Sequence, residues 1–296
     1  MSRIHDALKR AEQERATSMG THVEPSIEQA EVQNIPMPPM QGIPVQGAPS
    51  SDLSYETLVA RCPQTQWHPD PTTMLFFDDD ETRMGAEEFR TLRSRLYQIR
   101  EKMPLKRLLV TSALPKEGKS FVAANLGQVL VRQHGRRVLV MDADLRNPGM
   151  HRHLGTQPKP GLSDYLLGEC DEFAILQRGQ MENLFFIPAG HVVSGAPELL
   201  ANGRLKLLLQ RIEPLFDWII LDSSPVIPVS DSTLVAGVCD GILMVVRSNV
   251  TPSDMARRAR EEFPDKLLLG VVLNGAPSGK LAQSKYYYGE AVTSQV

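Results

Sequence analysis

The main pattern along the chain is a series of short, almost continuously apolar runs that alternate with segments of helical periodicity. These runs have the length and composition of buried strands, and they lie at 107–113, 137–143, 183–190, 217–223, 241–248 and 267–274. Strands that are apolar on both sides, with helices between them, predict an α/β fold whose mostly parallel sheet is covered by helices on both faces. Several runs end in Asp, Ser or Asn, and the carboxyl ends of parallel strands form the edge at which ligands bind.

The N-terminal part of the chain has a different pattern. Ser2 and apolar residues at helical spacing predict a short amphipathic helix over residues 1–16, which either frays or docks to a partner. Residues 17–80 lose this periodicity and are rich in Pro and Gln, which predicts a disordered linker. We therefore expect the folded domain to span residues 81–281, followed by a tyrosine-containing tail at 282–296.

Composition and charge narrow the class of protein. The 296 residues are 42% apolar and 23% charged, which is ordinary for a folded domain, and the formal net charge of -3 argues against a nucleic-acid partner. No apolar run approaches the roughly 18 residues of a membrane span, and the N-terminus lacks a secretory signal. Three widely separated cysteines form no CxxC pair, so we expect neither disulfides nor zinc, and a cytoplasmic location.

A phosphate-binding loop is the strongest local motif. The segment 113–120, ALPKEGKS, follows one apolar run and opens a helical segment. Gly118 lets the main chain close on a phosphate, and the N–H groups of the loop and of the helix N-terminus favour anionic oxygens. Lys119 would reach the β and γ phosphates, and the Ser120 hydroxyl would ligate Mg²⁺. The motif predicts a P-loop nucleotide-binding fold.

Three aspartates at predicted strand ends extend this site. Asp142 and Asp144 end the second apolar run, two residues apart, and Asp222 ends a later run. Mg²⁺ prefers hard oxygen ligands, and a further carboxylate can accept a proton from an attacking hydroxyl. Each aspartate alone is equally well explained as a helix cap or turn residue. All of them at strand ends after a phosphate loop favour a phosphoryl-transfer site.

Together the loop, the segment DADLRNPGMHRHLG and the segment ILDSSPV resemble the bacterial tyrosine kinases, P-loop autokinases of capsule and exopolysaccharide synthesis. The resemblance spans residues 81–290 and implies ATP and Mg²⁺ as cofactors. It implies catalytic roles for Lys119, Asp142, Asp144 and Asp222, with Asp142 as the base for the tyrosine hydroxyl, and metal ligation by Ser120, Asp144 and Asp222. The implied nucleotide contacts are Ala113, Pro115, Lys116, Glu117, Gly118, Lys119, Ser120 and Phe121. Asn274, at the end of the last apolar run, either contacts the adenine base or forms a turn before Gly275.

The resemblance also implies how the protein assembles and what it modifies. Glu87, Arg90 and Arg93 reproduce the ExxRxxR pattern of ring-like self-assembly, on a helix predicted over residues 84–101. Without the family context, the same charges indicate a solvated helix face. Tyr286, Tyr287 and Tyr288 match the family's C-terminal phosphate-acceptor cluster. Implied partners are further copies of the chain, a transmembrane polysaccharide co-polymerase that recruits the protein to the membrane, and a protein-tyrosine phosphatase.

Two features depart from the family pattern, and two other functions stay open. Ser223-Ser224-Pro225 replaces the usual pair of prolines after the last aspartate, and no transmembrane adaptor is present in the sequence. A partition or division-site ATPase would have a similar sheet, but its additional lysine would occupy the position of Leu114, and it would lack the tyrosine-rich tail. A nucleotide-binding scaffold without kinase activity is the other alternative, against which the intact loop and aspartates argue.

Overall fold

The structure is a computed structural model that describes residues 54–62, 64–77 and 84–276. Its strands are β1 (Arg107–Ser112), β2 (Val138–Asp142), β3 (Gln177–Arg178), β4 (Leu184–Ile187), β5 (Trp218–Asp222), β6 (Gly241–Arg247) and β7 (Leu268–Asn274). They form one seven-stranded sheet in the order β3-β4-β2-β5-β1-β6-β7. All neighbouring strands are parallel except β3 and β4. The predicted mostly parallel sheet is confirmed, and every predicted run contains a strand.

Helices connect the strands, as the alternating pattern predicts. They are α1 (Tyr55–Arg61), α2 (Ala86–Arg100), α3 (Lys119–Val131), α4 (Met150–Leu154), α5 (Leu162–Leu167), α6 (Glu172–Ile175), α7 (Ala196–Ala201), α8 (Arg204–Ile212), α9 (Asp231–Ala236) and α10 (Ser253–Glu261). A 3₁₀ turn, Glu213–Leu215, follows α8. The helix predicted over residues 84–101 is confirmed as α2, and it begins after Gly85, whose φ is +95°.

The sheet separates two apolar cores because successive strand residues point to opposite faces. Leu109 and Leu139 belong to one core, whereas Leu108 and Val138 belong to the other. Helix α3 lies in the second core, and its residues from 122 to 131 are all buried. Gly127 allows this helix to approach β2 closely, since a Cβ there would lie 2.4 Å from the Val140 side chain. The covering helices on both faces explain why the strands carry almost no polar residues before their ends.

The prediction of a linker up to residue 80 is wrong for the segment that precedes the core formed by the sheet and its helices. Residues 54–62 and 64–77, here called the N-terminal strap, pack into that core. Leu58 and Met74 are fully buried and Trp67 is 2% exposed. The Trp67 ring meets Phe186 of β4 edge to face, with ring centroids 6.3 Å apart. This apolar burial supplies the free energy that orders a segment with little periodicity of its own.

The strap is also held by hydrogen bonds to the rest of the fold. Gln64 forms a parallel bridge with Arg178 of β3, which extends the sheet edge. The side chain of Gln180 bonds both main-chain groups of Trp67, at 3.1 Å each. Tyr55 Oη donates to Asn183 Oδ1 at 2.5 Å. The ordered part of the described chain therefore begins well before residue 81.

The other predictions for the ends of the chain fall outside the described residues. These are the helix over residues 1–16, the rest of the linker up to residue 53, and the tail at 282–296 with its tyrosines. Within the three described segments, no helix is long and apolar enough to cross a membrane.

Candidate active site

The strand order brings the predicted aspartates together at one edge of the sheet. Strand β5 lies between β1 and β2, so the strand that leads into the loop is next to a strand that ends in an aspartate. Asp142 of β2 is in register with Asp222 of β5. Both residues are fully buried, and Asp144, just beyond the end of β2, is 3% exposed. The site is therefore a set of carboxylates held by neighbouring strand ends and closed to bulk water.

The loop between β1 and α3 requires glycine at position 118. Gly118 has a φ of +94°, in the left-handed region. A Cβ at this position would lie 2.1 Å from Asn274 Nδ2, so a larger residue would also have to push that side chain aside. Lys116 has a φ of +65°. This turn presents main-chain N–H groups and the N-terminus of α3 on one side, an arrangement that binds phosphate oxygens.

The side chain of Glu117 braces the loop from behind. It is 2% exposed, and its carboxylate accepts from the main-chain N–H of Leu114 at 2.7 Å and from that of Arg247 at 3.4 Å. The Thr251 hydroxyl donates to the same carboxylate, and Asn274 Nδ2 donates to the Glu117 carbonyl at 2.9 Å. The carboxylate thus ties the loop to the end of β6. The main-chain N–H of Glu117 has no partner among the described residues and is the group that this residue can offer to a phosphate.

A lysine lies at the centre of the buried carboxylates. Lys119 Nζ is 2.9 Å from Asp144 Oδ2, and its side chain is 14% exposed. Burial by itself would lower the pKa of Lys119, but the charges of Asp222 and Asp144 outweigh it and raise the pKa above the usual value. The ammonium is therefore charged at neutral pH. It is placed where it can neutralise added negative charge at the mouth of the loop.

Asp142 is held by main-chain groups rather than by the lysine. Its Oδ1 accepts from the N–H of Asp144 at 3.1 Å, and its Oδ2 accepts from those of Gly149 and Met150 at 3.2 and 3.1 Å. Burial and the nearby Asp222 carboxylate raise the pKa of Asp142, although Lys119 and these donors oppose the rise. A raised pKa makes Asp142 a better proton acceptor near neutral pH than an exposed aspartate.

Asp222 and Ser120 form a site that suits a magnesium ion. Ser120 Oγ donates to Asp222 Oδ2 at 2.5 Å, and burial raises the pKa of Asp222. Asp222 Oδ1 is buried and has no hydrogen-bond partner among the described residues. An unpaired buried oxygen beside a hydroxyl fits Mg²⁺, which binds few protein ligands and keeps water and phosphate oxygens. The described residues contain no group of three or more metal-ligating side chains that would hold a metal alone.

Two predicted contacts have other partners in the structure. The Phe121 ring packs against Phe89 of α2, with ring centroids 5.8 Å apart. Asn274 lies beside the loop and donates to its main chain, as described above. Pro115 and Lys116 are exposed on the loop, whereas Ala113 is buried at its start.

The predicted assembly residues lie on α2. Arg90 Nη1 pairs with Glu87 Oε2 at 3.2 Å, and the Glu87 side chain is 62% exposed. Arg93 Nη1 donates to the Val129 carbonyl of the same chain at 3.0 Å. Arg93 is thus partly engaged within its own chain, while Glu87 faces solvent.

Sequence reasoning missed several polar contacts that fix the site. The Ser224 hydroxyl donates to Asp144 Oδ1 at 2.9 Å. Arg146 forms a two-point ion pair with the fully buried Asp231, with Nε to Oδ2 at 2.7 Å and Nη2 to Oδ1 at 3.2 Å. Arg146 lies in the segment that carries the resemblance, and Ser224 is one of the departures from it. Their partners are about 80 residues away in the sequence, so no local pattern identifies them.

The topology and the loop define a P-loop nucleotide-binding α/β domain, and comparison with known proteins gives its family. A family model described as an AAA domain matches residues 117–251. The tyrosine-protein kinase YwqD of Bacillus subtilis is 31% identical over 206 residues, which cover 69% of this chain and 86% of YwqD. The chain belongs to the bacterial tyrosine-protein kinase family.

Two further proteins show the extent of this similarity. The solved kinase domain of the Escherichia coli tyrosine kinase ETK is 26% identical and has a TM-score of 0.65, covering 79% of this chain and 86% of that domain. The succinoglycan biosynthesis transport protein ExoP of Rhizobium meliloti is 33% identical over 209 residues, 69% of this chain. This chain spans only 26% of the length of ExoP.

Proposed function

We propose that the protein is an ATP-dependent protein-tyrosine autokinase that phosphorylates its C-terminal tyrosines between subunits. The observation that carries this proposal is the convergence of Lys119, Ser120 and the three aspartates at the mouth of a P-loop in a member of this family. In the same proposal, phosphorylation regulates the polymerisation or export of an exopolysaccharide or capsule. The ExoP name, which refers to succinoglycan biosynthesis and transport, supports this choice of pathway.

In the proposed reaction the loop holds ATP through its phosphates. Main-chain N–H groups of residues 116–121, at the N-terminus of α3 and in the loop before it, bind the phosphate oxygens, and the Lys119 ammonium neutralises the transferring group. Ser120, Asp222 and Asp144 would hold Mg²⁺, which would supply charge neutralisation and orientation at the phosphates. Asn274, beside the loop at the end of β7, is the candidate contact for the adenine base.

The chemical step transfers the γ-phosphoryl group from ATP to a tyrosine oxygen. The bond between that oxygen and the γ-phosphorus forms, the bond from the γ-phosphorus to ADP breaks, and Asp142 takes the hydroxyl proton. Fixed main-chain donors hold Asp142 in place, and its raised pKa favours proton acceptance.

We propose Tyr286, Tyr287 and Tyr288 as the acceptors, on sequence grounds. They follow β7, the last described strand, after the polar segment NGAPSGKLAQSK with its two glycines, which can act as a tether. Each phosphate adds about -1.5 to -2 charges at pH 7. Adjacent phosphotyrosines would repel one another and the acidic edge, so phosphorylation would release the tail from the neighbouring site and loosen the assembly.

The proposed assembly is a ring of copies joined through α2. Arg90 and Arg93 would contact an acidic surface of the next copy, since a heterologous contact repeated around an axis closes a ring. A membrane polysaccharide co-polymerase would recruit this cytoplasmic ring to the inner face of the membrane, and a protein-tyrosine phosphatase would reverse the modification.

Incubating the purified chain with labelled ATP and Mg²⁺ tests the activity, with phosphotyrosine detected by antibody and mass spectrometry. The expected result is phosphotyrosine that increases with time. Release of inorganic phosphate without phosphotyrosine would indicate a regulatory ATPase instead. Nucleotide binding with neither product would indicate a scaffold, and either outcome contradicts the proposal.

A further inference from the structure

We infer that Ser224 is a positioning residue, whose hydroxyl fixes the Asp144 carboxylate so that Lys119 and a magnesium-bound nucleotide meet it in one geometry. The inference rests on the proposed function, because it gives Asp144 a part in binding the metal-nucleotide complex. Ser224 lies two residues beyond the end of β5 and is 1% exposed.

The main chain of Ser224 is itself anchored. Its carbonyl accepts from Thr111 Oγ1 of β1 at 3.1 Å and from Ser223 Oγ at 3.3 Å. The N–H of the preceding residue, Ser223, donates to the Val110 carbonyl at 3.2 Å. The hydroxyl of Ser224 therefore starts from a fixed point on the sheet, and its direction is set by β1 and β5.

The two oxygens of Asp144 have separate partners. Oδ1 accepts from Ser224 Oγ at 2.9 Å and from the Asn147 N–H at 3.1 Å. Oδ2 faces Lys119 Nζ at 2.9 Å. The donors on Oδ1 thus determine the plane of the carboxylate and leave Oδ2 directed at the lysine. Asp144 is only 3% exposed, so bulk water cannot replace a hydrogen-bond donor that its carboxylate loses.

Loss of the Ser224 hydroxyl would leave Oδ1 with the Asn147 N–H as its remaining donor among the described residues. One donor does not fix the plane of the carboxylate. The carboxylate could then rotate about the bond that carries it, so that its position relative to Lys119 would vary. Because the main-chain N–H groups of the loop bind phosphate independently of Asp144, nucleotide affinity without metal should persist. Binding of the magnesium complex should weaken.

Ser223 provides a matched control. It is adjacent to Ser224 and fully buried, but its hydroxyl donates to the main-chain carbonyls of Val110 and Ser224, at 3.4 and 3.3 Å. The Ser223 hydroxyl donates to no carboxylate in the described part of the chain. Ser223→Ala therefore removes a buried hydroxyl from the same segment without touching Asp144, and the Ser224 carbonyl keeps its bond from Thr111 Oγ1 at 3.1 Å.

The test titrates MgCl₂ against the full chain and a fluorescent ADP analogue, and repeats the binding in EDTA. For Ser224→Ala we expect at least a fivefold higher half-saturating Mg²⁺ concentration, with affinity in EDTA within twofold of the wild type. Ser224→Cys, whose thiol is a weak donor, should behave in the same way, and Ser224→Thr should restore the wild-type Mg²⁺ dependence. Ser223→Ala should match the wild type in both conditions. Circular dichroism identifies the variants that fold. If only one of Ser224→Ala and Ser224→Cys folds, that variant is sufficient for the comparison.

A wild-type Mg²⁺ dependence in folded Ser224→Ala or Ser224→Cys would overturn the inference and leave the proposed function intact. Equal losses in Ser223→Ala and Ser224→Ala, in EDTA as well as in Mg²⁺, would also overturn it, since they indicate a general packing role. If the wild type binds the ADP analogue without any effect of Mg²⁺, the proposed function and the inference both fail.

Discussion

The catalytic edge and the N-terminal strap both bury polar groups, but the groups are of different kinds. At the edge they are charged, with Lys119 beside three carboxylates that are at most 3% exposed. Against the strap they are neutral amides. Asn125 and Gln128 of α3 are fully buried and bond the strap main chain, with Leu75 N–H to Asn125 Oδ1 at 2.8 Å and Phe76 N–H to Gln128 Oε1 at 3.2 Å.

This difference separates groups that favour function from groups that favour stability. Burying like charges together is costly, and the cost is accepted where they bind phosphate or transfer a proton. Satisfied amides and apolar side chains carry no such cost and hold the chain in place. Helix α3 connects the two, since Lys119 and Ser120 begin it and Asn125 and Gln128 follow one and two turns later. The strap thereby helps to fix the helix that carries the loop.

Changing Lys119 should separate activity from stability most strongly. Lys119→Met removes the charge that neutralises the migrating phosphoryl group, and such electrostatic contributions are worth on the order of 3–4 kcal/mol. We expect at least about a hundredfold loss of phosphotyrosine formation, because each 1.4 kcal/mol is tenfold, with an unchanged circular dichroism spectrum. Lys206→Met, on the exposed face of α8, is the control and should keep wild-type activity. Near-normal phosphorylation in folded Lys119→Met would exclude the P-loop mechanism.

Trp67→Ala should reduce stability and leave activity almost unchanged, which is the opposite of the effect expected for Lys119→Met. Removing a buried aromatic side chain that packs on β4 should lower the free energy of unfolding by about 3–5 kcal/mol, measured by urea titration. The specific activity of the folded fraction should change little. Leu207→Ala serves as the control, since Leu207 is 57% exposed and its loss should cost under about 0.5 kcal/mol. A change below about 1 kcal/mol for Trp67→Ala would show that the strap is dispensable for folding.

Asn125→Leu tests the amide contact between the strap and α3. The change keeps the number of side-chain heavy atoms and the branch at Cγ, but it leaves the Leu75 N–H and the Thr73 carbonyl without their partner, each bonded at 2.8 Å. We expect a loss of about 1–3 kcal/mol in unfolding free energy, smaller than for Trp67→Ala. Gln133→Leu, an exposed amide just beyond the same helix, should stay within about 0.5 kcal/mol of the wild type. If Asn125→Leu and Gln133→Leu lower the free energy of unfolding equally, the amide contact of Asn125 has no specific role in stability.

The double change Arg90→Ala/Arg93→Ala should have the smallest effect on the stability of the isolated chain. The exposed Glu87–Arg90 pair contributes little to folding, and loss of the Arg93 bond to the Val129 carbonyl should lower the free energy of unfolding by about 1 kcal/mol, so the unfolding midpoint should move little. Self-association, measured by light scattering with Mg-ATP, should weaken about tenfold, because 1.4 kcal/mol shared by two contacts gives that factor. Arg95→Ala, on the exposed side of the same helix, is the control. A wild type that stays monomeric at high concentration would contradict assembly through α2.

The fold could be predicted from the sequence wherever buried elements have a regular pattern of apolar residues. The six apolar runs identify strands because both faces of a covered parallel sheet are apolar, and Asp142 and Asp222 stand out because they end such runs. The N-terminal strap has no such pattern. Helix α1 has only seven residues, and Trp67 and Met74 reach the core from irregular chain whose Pro and Gln neighbours suggest a linker.

The contacts of individual site residues were harder to predict than their positions. Glu117 belongs to the loop motif, yet its carboxylate bonds Thr251 and the Arg247 main chain, more than 100 residues away. The Ser224 hydroxyl is likewise defined by the position of Asp144, 80 residues earlier. Such partners depend on which strands become neighbours, and the order β2-β5-β1-β6 cannot be read from local patterns.

Mixing two variants, neither of which can phosphorylate its own tail tyrosines, tests phosphorylation between subunits most directly. One chain carries Lys119→Met with its tail intact, and the other has an intact site but Tyr286→Phe, Tyr287→Phe and Tyr288→Phe. After incubation with Mg-ATP, mass spectrometry locates phosphotyrosine on each chain. Transfer between subunits predicts phosphate on Tyr286, Tyr287 and Tyr288 of the Lys119→Met chain. An unmodified tail on that chain, with phosphate elsewhere or nowhere, would contradict the account.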